Sequence, residues 1–378
     1  MASPRLVATF AALSGLLLAC SPSTPAPESQ SQDTKPMSTN APLPAAPVCD
    51  VAALSPRDKL AQLLTVGVKD AADARAVVSE QHVGGIMIGS WTDLSMLTDG
   101  SLPDISAAGP LPLAVTVDEE GGRVSRLSSL IGEQPSARVL AQTKSVDEVY
   151  GIALDRGQKM RNLGITVDFA PVVDVTTDAD DTVIGDRSFG DDPVKVTDYA
   201  GAYARGLRDA GVLPVLKHFP GHGHGSGDSH TGSVTTPPLA DLQNNDLVPY
   251  RTLTTAAPVA VMIGHLQVPG LTGSDPASLS AAAYQLLRSG NYGGPGFNGL
   301  VYTDDLSSMA AINQRYGVAS AVLLALQAGA DNALWITTDE VPAVLDGLEK
   351  ALADGQLNQA AVDAAVQRNV DAKGGVHC

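Results

Sequence analysis

Past residue 49 the chain alternates short, wholly apolar runs with longer stretches in which apolar residues recur at helical spacing. Eight runs predict strands: Leu63 to Val68, Gly85 to Ile88, Leu113 to Val117, Thr166 to Ala170, Leu213 to Leu216, Val259 to Ile263, Leu300 to Tyr302 and Ala333 to Ile336. Most are rich in Val, Ile and Leu with no polar alternation, the pattern of parallel strands covered on both faces. Amphipathic stretches between them predict helices at Val146 to Leu163, Asp198 to Ala210, Ser278 to Leu287, Val318 to Gln327 and Val341 to Ala353. Eight such β units in about 290 residues match the size of a single (β/α)8 barrel. A doubly wound open sheet is the rival, because periodicity does not reveal closure. No GxGxxG follows the first strand, so the usual dinucleotide signature is missing.

The amino end has a different character. Arg5 and the apolar run Leu6 to Ala19 have the shape of a secretory signal, being short for a membrane span of about 20 residues. The run ends Leu-Leu-Ala-Cys at Cys20, which resembles a bacterial lipobox, and this implies cleavage before Cys20 and lipidation of its sulfur. Residues 21–47 are dominated by Pro, Ser and Thr with nothing to bury and are expected to form a tether. The expected organisation is thus a signal peptide over 1–19, a lipidated cysteine and tether over 20–48, and one catalytic domain over 49–378, held on the extracellular face of the cell membrane. Acyl chains contribute about 0.8 kcal/mol per buried methylene. The other two cysteines are Cys49 and Cys378; in an oxidising compartment they would staple the two ends of the domain, with two free thiols as the alternative.

Charge and composition narrow the function. With 24 Lys and Arg against 41 Asp and Glu, the formal charge is −17, which opposes a general nucleic-acid groove. Aromatic residues are 4% of the 378, arguing against an aromatic-lined polymer groove. No CxxC or HExxH spacing points to zinc, and no cofactor is implied.

Polar residues gather just after the apolar runs: Asp118, Asp174 and Arg187, Lys217 and His218, His265, then Asp304 and Asp305. In a closed barrel these exits open on one face. The densest stretch is KHFPGHGHGSGDSHTG from Lys217, read as a loop because of its glycines and Pro220. There Asp228 stands two residues before His230, close enough for the carboxylate to fix the imidazole tautomer and favour its charged form. Such a pair can donate and recover a proton near neutral pH. A metal cluster and a plain polar surface loop are the alternatives for these histidines. In GLVYTDDLSSM, Asp304 leaves the apolar run directly, and a fixed carboxylate there can attack or stabilise an oxocarbenium-like centre. Both aspartates could instead cap a following helix near Ser307.

Taken together, KHFPGHG followed by DSH, VDEEGGRVSRL (Val117 to Leu127), FAPVVD (Phe169 to Asp174), GDRSFG (Gly185 to Gly190) and VYTDDLSSM resemble the family 3 glycoside hydrolases, in their β-N-acetylhexosaminidase branch. With the lipobox and tether, the chain is similar to an actinobacterial lipoprotein member. The resemblance implies Asp304 as nucleophile, His230 as general acid/base and Asp228 as its dyad partner. It implies Asp118, Arg126, Arg187, Lys217 and His218 as residues around an N-acetylglucosamine unit, while His222, His224 and Asp305 gain no firm role. Asp174 is expected behind the site, and His265 outside its primary residues. Glu119 stands where the family segment commonly has Gln and is expected to add negative charge near the sugar. His224 and Gly225 to Gly227 replace a more acidic, Thr-rich spacer, and no second sandwich domain is expected after the barrel.

The implied activity is removal of terminal β-linked N-acetylglucosamine, with retention, from cell-wall fragments in which it is joined to N-acetylmuramic acid. A histidine acid attracts that lactyl carboxylate where an aspartate would repel it. A monomer that binds no nucleic acid is expected. A β-glucosidase, a phosphorylase and a noncatalytic wall-binding lipoprotein are the competing readings.

Overall fold

The computed structural model describes residues 51–256 and 258–374. The signal segment, Cys20, the tether, Cys49 and Cys378 lie outside the described residues. Eight parallel strands follow one another in chain order: β1 (Leu64–Gly67), β2 (Gly85–Ile88), β3 (Ala114–Val117), β4 (Val167–Asp168), β5 (Leu213–Phe219), β6 (Ala260–Ile263), β7 (Val301–Thr303) and β8 (Ala333–Trp335). Each falls on one of the eight apolar runs. β8 pairs back onto β1, with Leu64 opposite Ala333 and Val66 opposite Trp335. Between β7 and β8 the contact is shorter: Tyr302 bridges Asn332, Thr303 N donates to Asn332 O at 3.0 Å, and Leu306 N to Leu334 O at 2.9 Å. Sequential order and paired ends exclude the doubly wound sheet and give a (β/α)8 barrel.

Both faces of each strand are buried, which is why the runs lack polar alternation. Met87, Ala114, Val167, Phe169, Leu213, Val215, Ala260, Met262, Leu300, Tyr302 and Leu334 form the barrel interior. Their neighbours, such as Ile86, Ile88, Val261 and Ile263, pack outward against the helices. Inside, Phe169 meets Tyr302 edge to face at 5.3 Å between ring centroids. The period of two has a consequence at the strand exits. Leu213 and Val215 point inward, and so does the next of that parity, Lys217; Leu300 and Tyr302 are followed in the same way by Asp304. Parity thus separates Asp304 from Asp305, which strand-end position alone distinguished only weakly.

The predicted helices appear at Val146–Asn162, Pro193–Asp209, Ala281–Ser289, Val318–Ala328 and Val341–Ala353. The first starts with a capping box, in which Ser145 Oγ accepts from Glu148 N and Ser145 N donates to Glu148 Oε2 at 2.8 Å. The second starts on Asp192 with Pro193 in its first turn. Two further helices, Ala71–Gln81 and Gln359–Ala372, have no strong apolar stripe and were not anticipated; the first is capped by Asp70, which accepts from Ala72 N and Asp73 N at 2.9 Å each. Two corrections concern the segments after β5 and β7. Lys217 and His218 belong to β5 rather than to the loop, which starts after Phe219. The segment near Ser307 is a turn, and the short helix begins at Ala310.

Barrel closure rests on a buried carboxylate. Asp331 Oδ2 accepts from Val301 N at 2.8 Å and from Arg288 Nη2 at 2.5 Å, while Oδ1 accepts from Arg368 Nε at 2.8 Å. The final helix adds Asn369 Nδ2 to Asp331 O at 2.8 Å. Removing that carboxylate leaves two guanidinium groups and a strand N–H without their acceptor, so Asp331→Ala should lower unfolding free energy by about 3 kcal/mol in urea titrations. A loss under about 1 kcal/mol would show that closure does not depend on it.

Candidate active site

All eight residues expected to carry catalysis or sugar binding line one pocket of roughly 290 Å³ at the carboxyl ends of the strands: Asp304, His230, Asp228, Asp118, Arg126, Arg187, Lys217 and His218. The floor is a network of buried charges. Lys217 Nζ, from β5, lies 2.6 Å from Asp118 Oδ1 and 2.6 Å from Glu120 Oε1, both on the segment after β3. Glu120 also takes two bonds from Arg187, at 2.8 Å from Nε and 2.9 Å from Nη2. Burial alone would raise the Glu120 carboxyl, but Arg187 and Lys217 hold it far below the usual carboxylate range. Glu120 was not picked out from the sequence, although it sits two residues from Asp118 in the quoted EEGG stretch. The cations on the floor therefore already have partners, and the pocket is a balanced ion lattice rather than a simple positive well. Among the described residues the Arg126 side chain makes no ion pair.

Glu119 lies elsewhere than expected. It is fully buried, faces away from the pocket, pairs with Arg156, and accepts from Arg126 N and Leu127 N at 2.7 Å each. Its charge is spent inside the protein, where it folds the 119–127 segment and so presents Asp118, Glu120 and Arg126. It adds no negative charge to the pocket lining.

Behind the pocket Asp174, also fully buried, accepts from His222 N at 2.8 Å and sits 2.7 Å from His218 Nδ1. This leaves His218 Nε2 toward Arg187 at 3.4 Å. Burial favours the neutral acid, yet the His218 contact lowers the Asp174 carboxyl overall. His265, also buried, bonds Ser278 Oγ and Asp305 O, each at 2.7 Å, and does not line the pocket.

Asp304 occupies the end of β7. Its N donates to Ile263 O at 3.0 Å and its Oδ1 accepts from Asp305 N at 2.9 Å, while Oδ2 accepts nothing from the described residues. Burial pushes this carboxyl up, but His265, His218 and Lys217 overcome that and hold it at about 2. Asp305 does something different: its carboxylate caps the turn, accepting from Ser307 N at 2.8 Å and Ser308 N at 3.0 Å.

The loop after β5 brings the dyad to the rim. Gly223 is needed where the loop crosses the exit of β4, since a Cβ there would lie 1.9 Å from Val175 O. His222 Nε2 stands 3.3 Å from Ser229 Oγ, and His224 Nδ1 lies 3.0 Å from Asp246 Oδ1, so neither histidine joins the dyad. Asp228 and His230 meet in a turn: Asp228 Oδ1 accepts from His230 N at 2.9 Å and lies 2.6 Å from its Nδ1. That leaves Nε2 for the pocket. The dyad segment is tied to the β7 side by Ala311 N to Ser229 O at 3.1 Å and Ala310 N to His230 O at 3.3 Å. Among the described residues no group of three or more His, Cys, Asp or Glu is arranged to hold a metal ion.

Comparison with known proteins meets this geometry. The glycosyl hydrolase family 3 N-terminal domain matches residues 55–371. The chain belongs to that family. It is 66% identical to "Beta-hexosaminidase LpqI" of Mycobacterium tuberculosis, over 99% of this chain and 98% of the relative. A crystal structure of a family 3 glycosyl hydrolase from Mycobacterium smegmatis superposes with a TM-score of 0.85 at 82% identity, covering 86% of this chain and 98% of that one. A family 3 β-N-acetylglucosaminidase from Paenibacillus superposes at 0.79 with 33% identity, over 85% of this chain and 62% of that longer one.

Two outcomes follow from the charge network. A carboxyl-carbon NMR titration should find Asp304 still ionised at about pH 4; a midpoint at or above the ordinary 3.8 would refute the electrostatic account. Glu120→Gln leaves Lys217 and Arg187 as neighbouring cations with half their counter-charge removed. It should cost about 3 kcal/mol in unfolding free energy and raise KM more than it lowers kcat, measured by urea titration and steady-state kinetics.

Proposed function

We propose that this β-hexosaminidase releases terminal β-linked N-acetylglucosamine from peptidoglycan fragments in which that sugar is joined to N-acetylmuramic acid, with retention at the anomeric carbon. The observation that carries the reading is the pairing, across one pocket, of an ionised carboxylate on the barrel floor with a carboxylate–imidazole dyad at its rim. Asp118, Lys217, Arg187 and His218 ring the sugar, and Arg126 adds a cation that has no counter-ion among the described residues.

In this mechanism Asp304 Oδ2 attacks the anomeric carbon as the glycosidic bond breaks, and protonated His230 gives its Nε2 proton to the leaving oxygen. Neutral His230 then takes a proton from water, whose oxygen displaces Asp304 and regenerates the carboxylate. Asp228 holds the Nδ1 side throughout and stabilises each imidazolium. In the structure the His230 side chain is 59% exposed, so the dyad turn closes over the sugar before the first step. The enzyme works as a monomer from the outer face of the cell membrane, tethered through lipidated Cys20, and a Cys49–Cys378 bridge joins the ends of its domain.

Incubating the soluble body with the N-acetylglucosamine–N-acetylmuramic acid disaccharide, with and without phosphate, should release the β-anomer first at a rate phosphate leaves unchanged. Sugar 1-phosphate would instead identify a phosphorylase. Asp304→Ala should reduce turnover to background. His230→Ala should cost roughly 10²- to 10⁴-fold on this disaccharide and far less on a substrate with a good leaving group. Equal modest losses on both would remove His230 as the proton donor.

A further inference from the structure

Trp91 has no part in the chemistry above. It stands just after β2 and lines the same pocket, 41% exposed, and it is the one aromatic among the large apolar side chains open to solvent in the described residues. The other tryptophan, Trp335, is fully buried. Trp91 is not on a loose loop. Thr92 Oγ1 donates to Val68 O at 2.7 Å and accepts from Gly89 N at 3.0 Å, while Asp93 N donates to Lys69 O at 2.8 Å, which fixes the turn to the end of β1. The indole lies directly on Gly89, where a Cβ would come within 2.3 Å of Cη2.

Depth in the pocket assigns its partner. Lys217, His218 and Glu120 are nearly inaccessible and form the floor on which the terminal sugar sits, whereas His230 and Trp91 are exposed at the rim. The proton donor must reach the glycosidic oxygen, so groups at its level face whatever lies beyond that bond. We propose that Trp91, seated on Gly89, is the stacking platform for the pyranose ring of the leaving group. This rests on the glycosidase reading above. Axial C–H groups on one face of a pyranose carry slight positive charge and suit the negative face of an indole, while the hydroxyl edge stays in water. A turn already fixed loses little freedom when it binds.

The test compares kcat/KM on three substrates: β-N-acetylglucosaminyl fluoride, whose leaving group has no ring, β-1,4-linked N-acetylglucosamine dimer, and the muramic disaccharide. Trp91→Ala should lower the disaccharide-to-fluoride ratio roughly tenfold, and Trp91→Phe should restore most of it. Gly89→Ala, which keeps the tryptophan but displaces its ring, should reproduce the loss. Adding N-acetylmuramic acid or free N-acetylglucosamine dimer to the Asp304→Ala protein should change tryptophan emission, and Trp91→Phe should abolish that change. Ratios within roughly twofold of the parent in both Trp91→Ala and Gly89→Ala would overturn the proposal. Cleavage of the dimer but not of the muramic disaccharide would overturn the cell-wall substrate instead, and the dimer-to-fluoride ratio would still decide the role of Trp91.

Discussion

A carboxylate kept ionised at the floor of a pocket in the barrel mouth is the constraint on which the rest of this structure depends. Burial alone would neutralise Asp304, and a neutral acid neither attacks nor stabilises a cationic centre. The barrel answers with basic side chains around its mouth: Lys217 and His218 from β5, and His265 just beyond β6. A buried cation is itself costly and requires an anion. Lys217 has Asp118 and Glu120, and the His218 ring is held by Asp174. The site is thus a lattice of alternating charge, and no single member is removable without exposing the next.

This lattice explains the unusual burial of so many polar groups on the upper half of the barrel. Below them the interior is apolar and filled by Phe169, Tyr302 and their neighbours, which gives the ions a rigid base. Around them the second set of acids works on the backbone. Glu119 folds the 119–127 segment through Arg156 and two backbone N–H groups, and Asp305 caps the turn after β7. Adjacent acids in the same stretch therefore have different duties. Glu119 works inside the protein and Glu120 in the pocket, while Asp305, which also lines the pocket, caps the turn and Asp304 keeps an oxygen free of donors among the described residues.

The dyad is built on another principle. Asp228 and His230 are neighbours in sequence and meet in a local turn, so their contact needs no barrel. What the barrel supplies is their placement, through the bonds from Ala310 and Ala311 that tie the turn to the strand carrying Asp304. An exposed imidazole on a partly tethered loop and a carboxylate at a strand end thus come from two different kinds of element.

Much of this was legible from residue order. Both-face burial wrote the eight strands as continuous apolar runs, and strand-exit position together with the family motifs marked Asp304, Lys217, His218 and the dyad. The chain order could not show that β8 returns to β1, because closure is made by contacts 269 positions apart, Leu64 with Ala333. It left Ala71–Gln81 and Gln359–Ala372 unseen, since their apolar stripes are weak and packing rather than pattern holds them. Nor could it tell Glu119 from Glu120: adjacent side chains point to opposite sides of an extended chain, and only the folded barrel says which side is the pocket and which holds Arg156.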